Sequence, residues 1–405
     1  MFRMDSEGSP FRVDAGELFE AYLQCRRTKR KKVSTLEFEI DYEERLFELR
    51  EQLESGKWTP SPSLAFVVKR PVRREIFAAD FRDRVVHHWL MNKMIPLLED
   101  FFSNNSFACR PNRGTHYGIS RIYDYMHPGS TSKYNSRLYI LKLDISGFFM
   151  SINRGLLYNS LSKWLFEHYN GVDLPLVAEV LSKVIFNDPS ANCIRRGKRR
   201  DWKGLPRNKS LFHSAQGCGL PIGNLTSQIL ANFYLHPLDE FVRNQLGVQE
   251  YGRYVDDFVL FHEDPLFLAK ARVRIQEFLI KELSLELHPH KVYLQHSGHG
   301  VPFLGMVIKP GRIYAGRRIK SNFFKRIRSF NEEIRLGSPS SVQKSIFRQT
   351  MNSYLGLLNH YNTRRLRKSY LMNKLSGYWL NHFSIRGGFA KVVPLVRPAG
   401  KGMQE

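Results

Sequence analysis

The stretch Tyr254-Val255-Asp256-Asp257 constrains this chain more than any other. It lies within residues 249–264, where an apolar run is broken by two adjacent acids and resumes as Phe258-Val259-Leu260-Phe261, the pattern of strand, tight turn, strand. Buried unpaired anions are costly, so such a pair belongs on a surface turn or beside a cation. A further acid shifts the balance. Asp144 ends Leu138-Tyr139-Ile140-Leu141-Lys142-Leu143, a short and nearly all-apolar run of the kind expected in a strand covered on both faces. Two strands that each deliver aspartate at the tip can meet in one sheet and hold hard divalent ions through carboxylate oxygens. Magnesium takes such ligands and keeps positions open for phosphate, so the layout suggests phosphoryl transfer on two metal ions.

The charge balance points to the substrate class. A formal charge of +24 arises from 62 Lys and Arg against 38 Asp and Glu. Self-repulsion of this size does nothing for folding, whereas a phosphate backbone neutralises it, which makes nucleic acid the expected partner. A membrane-surface protein is the rival, but no apolar run approaches the ~18 residues of a membrane span. Met1-Phe2-Arg3-Met4-Asp5-Ser6-Glu7 lacks the apolar core of a signal peptide. Cys25, Cys109, Cys193 and Cys218 form no C-x-x-C pair and fit a reducing, cytoplasmic setting. With 405 residues, 42% of them hydrophobic, the chain can bury a core in one large domain or two to three ordinary ones.

Helical spacing predicts a helix over 15–25 that runs into the basic stretch 26–32, then an amphipathic helix over 46–53 ended by Ser55-Gly56. Residues 69–84 set six cations around the extended piece Ile76-Phe77-Ala78. From Asp83 the apolar positions follow a 3.6-residue period, with a kink expected at Pro96. Residues 187–214 read as a long basic loop with isolated Trp202 and Phe212, either disordered until binding or holding single-stranded RNA by charge and stacking. Asn224 is positioned to cap a helix running to Pro237. His288, His290, His296 and His299 cluster without a cysteine nearby and read as loop residues rather than a zinc site. From Arg317 on, the chain turns basic and helical, while Gly387-Gly388 and the tail after Pro398 read as loosely held.

The order of the motifs supplies a family. Tyr254-Val255-Asp256-Asp257 resembles the Y-x-D-D box of reverse transcriptases, and Asp144-Ile145-Ser146-Gly147-Phe148-Phe149 resembles that family's first palm motif. Gly219-Leu220-Pro221-Ile222-Gly223-Asn224-Leu225-Thr226-Ser227-Gln228 lies between them, and Phe303-Leu304-Gly305 falls where the primer grip falls. The resemblance implies an α/β (α+β) right-hand polymerase with an antiparallel palm sheet bearing the aspartates. It divides the chain into an N-terminal basic helical region (1–66), fingers (67–135), a palm with a fingers insertion near 154–215 (136–305), a C-terminal α-helical thumb (306–390) and a flexible tail (391–405). Asp144 and Asp256 would hold two Mg2+ ions, with Mn2+ as a substitute, aided by the Ile145 carbonyl and, with a weaker claim, Asp257. One ion would activate the primer hydroxyl and the other would stabilise the leaving group.

The same resemblance implies that Lys69, Arg74 and Lys291 contact the nucleotide's phosphates, with Arg73 as the alternative to Arg74. Phe149 would exclude a 2′-hydroxyl beneath the sugar. Arg110, Arg113, Gly223, Asn224, Gln228, Tyr254, Phe303, Leu304 and Gly305 would meet template or primer. Most reverse transcriptases have glutamine at the Ile222 position and commonly proline at the Gln228 position. Leu-Pro-Ile-Gly-Asn-x-x-Ser-Gln resembles the version in diversity-generating retroelements, whose cDNA is inaccurate at template adenines. Ile222 offers a stiff apolar surface where glutamine would hydrogen-bond, so Ile222 and Arg74 are the candidate fidelity residues.

The implied partners are a template RNA, an RNA/DNA primer-template duplex, deoxynucleoside triphosphates and a small basic oligomeric accessory protein, in a bacterial, phage or archaeal cytoplasm. A faithful group II intron or retron-type enzyme and a non-catalytic RNA-binding scaffold are the alternatives. Asp256→Asn is expected to abolish magnesium-dependent nucleotide incorporation without unfolding the purified protein; substantial retained synthesis would remove Asp256 from the chemistry.

Overall fold

The computed structural model describes residues 12–27, 29–69, 72–126 and 138–395. It is a mixed α/β fold in two compact units. The first takes in the described residues up to Gly114 together with Leu141–Leu260 and Leu266–Tyr293, and the second holds 115–140, 261–265 and the chain from Leu294 onward.

The first unit opens with helices Ala15–Arg26, Val33–Glu39 and Tyr42–Glu54. The Asp14 side chain caps the first of these by accepting from the Glu17 N–H, as short polar side chains do at helix starts. Strands β1 (Ser63–Val68) and β2 (Arg74–Ala78) form an antiparallel hairpin with Ala65 opposite Phe77. Helix Phe81–Phe101 follows, capped by Asp80 and continuing through Pro96. Its buried face, including Val85, Trp89 and Met94, packs on helix Ala15–Arg26.

Four further strands are β3 (Tyr139–Asp144), β4 (Cys193–Arg195), β5 (Tyr251–Tyr254) and β6 (Asp257–His262), followed by β7 (Tyr293–His296). The sheet that carries the acids has the order β5-β6-β3-β7. Phe258, Val259, Leu260 and Phe261 are all buried, so β6 is covered on both faces, as an unbroken apolar run requires.

Two expectations change here. Residues 187–214 are ordered: β4 extends the hairpin sheet by pairing parallel with β1, Ser63 opposite Cys193, and three 3-10 turns follow. Trp202 and Phe212 pack against the cluster of Ala65, Phe77, Met150 and Leu211, so these rings are occupied inside the protein rather than offered to RNA bases. The helix after Asn224 stops at Tyr234, and Pro237 lies in the first turn of a separate helix, His236–Glu240, where a missing N–H does no harm.

The second unit contains helix Thr115–Met126, a sheet of order β10-β9-β8 built from β8 (Val301–Phe303), β9 (Met306–Lys309) and β10 (Arg312–Ala315), and helices Arg317–Glu333, Ser341–Asn359 and Arg364–Ser369. Ser340 and Gln343 form a reciprocal capping box at the second of these helices. Phe323, Ile327, Phe330, Met351 and Leu355 build the core, and the Trp379 and Phe347 rings stack with centroids 4.0 Å apart.

The reading of Gly387-Gly388 as loose is corrected. These glycines turn an antiparallel hairpin of β11 (Phe383–Arg386) and β12 (Lys391–Pro394) at φ +62° and +60°. Asn352 holds β12 as a neighbouring strand would: its amide donates to the Val392 carbonyl at 2.9 Å and accepts from the Val392 N–H at 2.8 Å. The tail from residue 396 onward and the segment 1–11 lie outside the described residues. Asn352→Leu removes both bonds and strands a backbone pair, which costs about 1–3 kcal/mol; chemical denaturation should show a loss of that size.

Candidate active site

Strands β5 and β6 are joined by a two-residue turn, with Tyr254 opposite Asp257 and Val255-Asp256 between them. Val255 takes φ +58°, a left-handed conformation that costs an L-residue roughly 1–2 kcal/mol and suits a β-branched side chain least. The turn therefore stores strain at the residue that precedes Asp256. Next to it, the Ile145 N–H donates to the Asp256 carbonyl at 3.2 Å, which brings the end of β3, and with it Asp144, beside the turn.

Strands β6 and β3 are neighbours in the sheet, and the Asp144 charge acts on Asp256. Burial and the neighbouring Asp144 charge push the Asp256 carboxyl up to about 6, against the opposing charges of Lys291 and Arg74. Burial likewise raises Asp257 to about 6, although Lys142 pairs with its Oδ2 at 2.9 Å. The Asp257 Oδ1 is buried without a hydrogen-bond partner. Lys291 donates from Nζ to Asp144 Oδ1 at 2.7 Å.

Two acids raised chiefly by burial, with neighbouring carboxylate charge adding to it, and an orphaned carboxylate oxygen fit a site that gains from added positive charge. No group of three His, Cys, Asp or Glu residues forms a metal cage among the described residues. This is compatible with an ion that takes one or two carboxylates and completes its shell with substrate phosphate and water.

The surroundings sort the other candidates. Arg74 is exposed at the start of β2, and its charge acts on Asp256. The Arg73 guanidinium instead donates to the Lys203 carbonyl, which favours Arg74 of the two. Lys69 pairs with Asp201 at 2.7 Å. Phe149 and Ile222 pack against one cluster with Phe77 and Leu211, so they belong to a common apolar surface.

The Ile222 carbonyl accepts from the Phe77 N–H at 2.9 Å. Gly223 has φ +131°, and a Cβ there would come within 2.8 Å of Ile76 Cγ2, so only glycine suits the position. Asn224 sits at the N-cap position without a side-chain cap bond. Its Oδ1 accepts from the Ala79 N–H at 3.1 Å and ties this turn to β2. Gln228 is exposed and accepts from the Cys109 thiol at 3.0 Å.

Arg110 differs from the expectation of a template contact. Its side chain is 1% exposed, and its guanidinium donates to the Glu99 carboxylate and to the carbonyls of Ser103, Ser106 and Glu99. The loop holds this cation for its own backbone. Arg113 is half-buried and donates to Asn104, and Tyr254 is half-buried at the end of β5.

In the second unit, Leu304 and Gly305 turn the β8-β9 hairpin at φ +49° and +86°, with Phe303 buried at its base. Arg317, Arg318, Lys320, Lys325 and Arg328 are exposed on one helix. Arg367 is buried and donates to the Gly388 carbonyl at 3.3 Å.

Sequence reading missed two buried acids. Glu75 accepts from Trp202 Nε1 at 2.7 Å, Ser210 Oγ at 2.8 Å and the Leu211 N–H at 2.6 Å, which anchors residues 202–211 to the strand that bears Arg74. Asp239 accepts a two-pronged bond from Arg253. An acid two residues before Phe77 and on the same face of β2, opposite Val67, was the available signal for Glu75.

Residues 72–308 match the family model described as reverse transcriptase (RNA-dependent DNA polymerase). This chain belongs to the reverse transcriptase family. It is also 22% identical over 311 residues to Protein YkfC of Escherichia coli (strain K12), across 67% of this chain and 74% of that protein. The reverse transcriptase is an RNA-directed DNA polymerase whose substrates are a nucleic-acid template with its primer and deoxynucleoside triphosphates. Enzymes of this family use divalent metal ions. No helix among the described residues is long and apolar enough to cross a membrane.

The raised acids give a pH prediction. Each binds its proton more tightly in the folded state than in the unfolded chain, so without divalent ions stability falls as pH rises from about 4, the unfolded value, through about 6. Divalent ions bind the ionised form, so added magnesium should raise the melting temperature at pH 7.5 but not at about pH 5. In Asp256→Asn both the pH-dependent loss and the magnesium response should shrink in differential scanning fluorimetry; an undiminished magnesium response would place the ion elsewhere.

Proposed function

We propose that this reverse transcriptase makes adenine-mutagenised cDNA from the template-repeat RNA of a diversity-generating retroelement. Ile222 carries the reading. It stands where glutamine is usual in the family resemblance, and it lies with Phe149 against the Phe77 cluster, so it presents apolar surface with no side-chain donor or acceptor. Its carbonyl is already committed to Phe77. A nucleotide bound there would lose an orienting hydrogen bond worth about 1 kcal/mol, or roughly fivefold in discrimination.

The proposed chemistry is attack of a primer 3′-hydroxyl on the α-phosphate of a deoxynucleotide, with release of pyrophosphate. Asp144 and Asp256 would hold two Mg2+ ions, or Mn2+ in their place, with the Ile145 carbonyl as a further ligand; Asp257, held by Lys142, would support them electrostatically. Divalent ions bound there supply the positive charge that activates the hydroxyl and stabilises the leaving group.

Arg74 would fork onto the triphosphate, Lys69 would exchange Asp201 for phosphate, and Lys291 would accompany the pyrophosphate. Phe149 would close the space below the sugar against a 2′-hydroxyl. Arg113, Gly223, Asn224, Gln228 and Tyr254 would line the path of the template and primer. Phe303-Leu304-Gly305 and the exposed cations of helix Arg317–Glu333 would grip the duplex through a helical thumb. A small basic oligomeric accessory protein belongs to this reading, as does a cytoplasmic setting.

The reading is tested by sequencing cDNA that the purified protein makes on a defined RNA with magnesium and four deoxynucleotides. Substitutions should concentrate opposite template adenine, and Ile222→Gln should lower them several-fold relative to errors elsewhere. Uniformly accurate cDNA from both proteins would instead identify a faithful intron- or retron-type enzyme.

A further inference from the structure

We infer that Arg253 is a positioning residue for the reaction: its guanidinium, fixed by Asp239, holds the Val255 carbonyl and so keeps the strained turn in the conformation that presents Asp256. Among the described residues, Arg253 is the one arginine with no exposed surface. Its Nε and Nη2 donate to the two Asp239 oxygens at 2.7 and 2.6 Å. That fork sets the plane of the guanidinium and leaves Nη1 to reach Asn232 Oδ1 at 3.3 Å and the Val255 carbonyl at 3.2 Å.

The frame around it is equally fixed. Tyr251 donates its hydroxyl to Asp239 at 2.8 Å, and Asn232 donates to the Ala108 carbonyl at 2.6 Å. The Arg253 backbone bonds both ways with the 105–107 loop, from its N–H to Asn105 and from the Phe107 N–H to its carbonyl.

The link to chemistry is the peptide that Arg253 holds. The Val255 carbonyl belongs to the peptide bond that leads into Asp256, and Val255 carries the unfavourable φ of +58°. A charged donor on that carbonyl opposes relaxation of the peptide, and relaxation would swing the Asp256 carboxylate away from Asp144. Lysine cannot reproduce the function, because a single ammonium lacks the planar fork that engages Asp239 and Val255 together.

The inference rests on the proposed role of Asp256 and has its own test. Single-turnover and steady-state incorporation of dTTP on poly(rA)·oligo(dT) would be measured for Arg253→Lys, together with the magnesium concentration for half-maximal rate and the melting temperature. At a temperature where the variant is fully folded, we expect kcat at least tenfold lower, a several-fold higher magnesium requirement and little change in KM for dTTP. Glycine adopts positive φ freely, so the fold-loss caused by Arg253→Lys should be at least threefold smaller in a Val255→Gly background.

Should Arg253→Lys fail to fold, the paired Arg253→Gln/Asp239→Asn variant replaces it, since no charge is then left buried alone. Equal losses in both Val255 backgrounds, an unchanged magnesium requirement, or failure of both variants to fold would make Arg253 a residue of the core alone. Full activity of Asp256→Asn would instead overturn the metal role of Asp256 on which the inference stands.

Discussion

Mutual repulsion among Asp144, Asp256 and Asp257 is the constraint on which the first unit depends. Adjacent strands bring the three acids together; burial does most to raise Asp256 and Asp257 to about 6, the neighbouring carboxylate charges add to it, and the nearby lysines offset it only in part. Coulomb repulsion between like charges at such range is large in a partly dry environment. The fold must therefore supply rigidity from elsewhere, and it does so through covered strands, a bond from Ile145 to the Asp256 carbonyl and lysines placed on the outer carboxylates. A centre built this way is poised for cations instead of being satisfied by its own chain.

Much of this was legible in sequence because it is written in apolar runs. Strand β6 is buried along Phe258 to Phe261, and an acid pair that interrupts such a run has few places to go. The extended piece at Ile76 could be read for the same reason: period two acts within a few residues. Buried charges were opaque. Arg110 and Arg253 have the same composition signature as the exposed cations of helix Arg317–Glu333, and only the distant partners Glu99 and Asp239 distinguish them. Residues 187–214 misled for a related cause, since a polar and basic stretch gives no hint that Trp202 will donate to Glu75.

Two hairpin turns share a local device. Val255 and Leu304 each place a branched aliphatic side chain in the left-handed region, at φ +58° and +49°, where glycine or asparagine would be easier. Such strain persists when surrounding structure over-determines the turn. At Val255 the surroundings are explicit in the Arg253 bond; at Leu304 the Gly305 carbonyl accepts from Gly316 at 2.9 Å, and no side chain larger than glycine fits at 316.

The anchoring of Glu75 has a consequence for how the enzyme comes into being. Its three donors lie 127 to 136 residues further along the chain, and β4 joins β1 from a similar distance. While the protein is being synthesised, the β1-β2 hairpin carries an unanswered inward carboxylate until Leu211 has emerged. The arm that bears Arg74 is thus completed late and by long-range contacts, which are the slow kind to form. A growing chain thus presents Asp144 and Arg74 well before the residues that fix their surroundings, Lys291 for the one and Trp202 to Leu211 for the other, have been made.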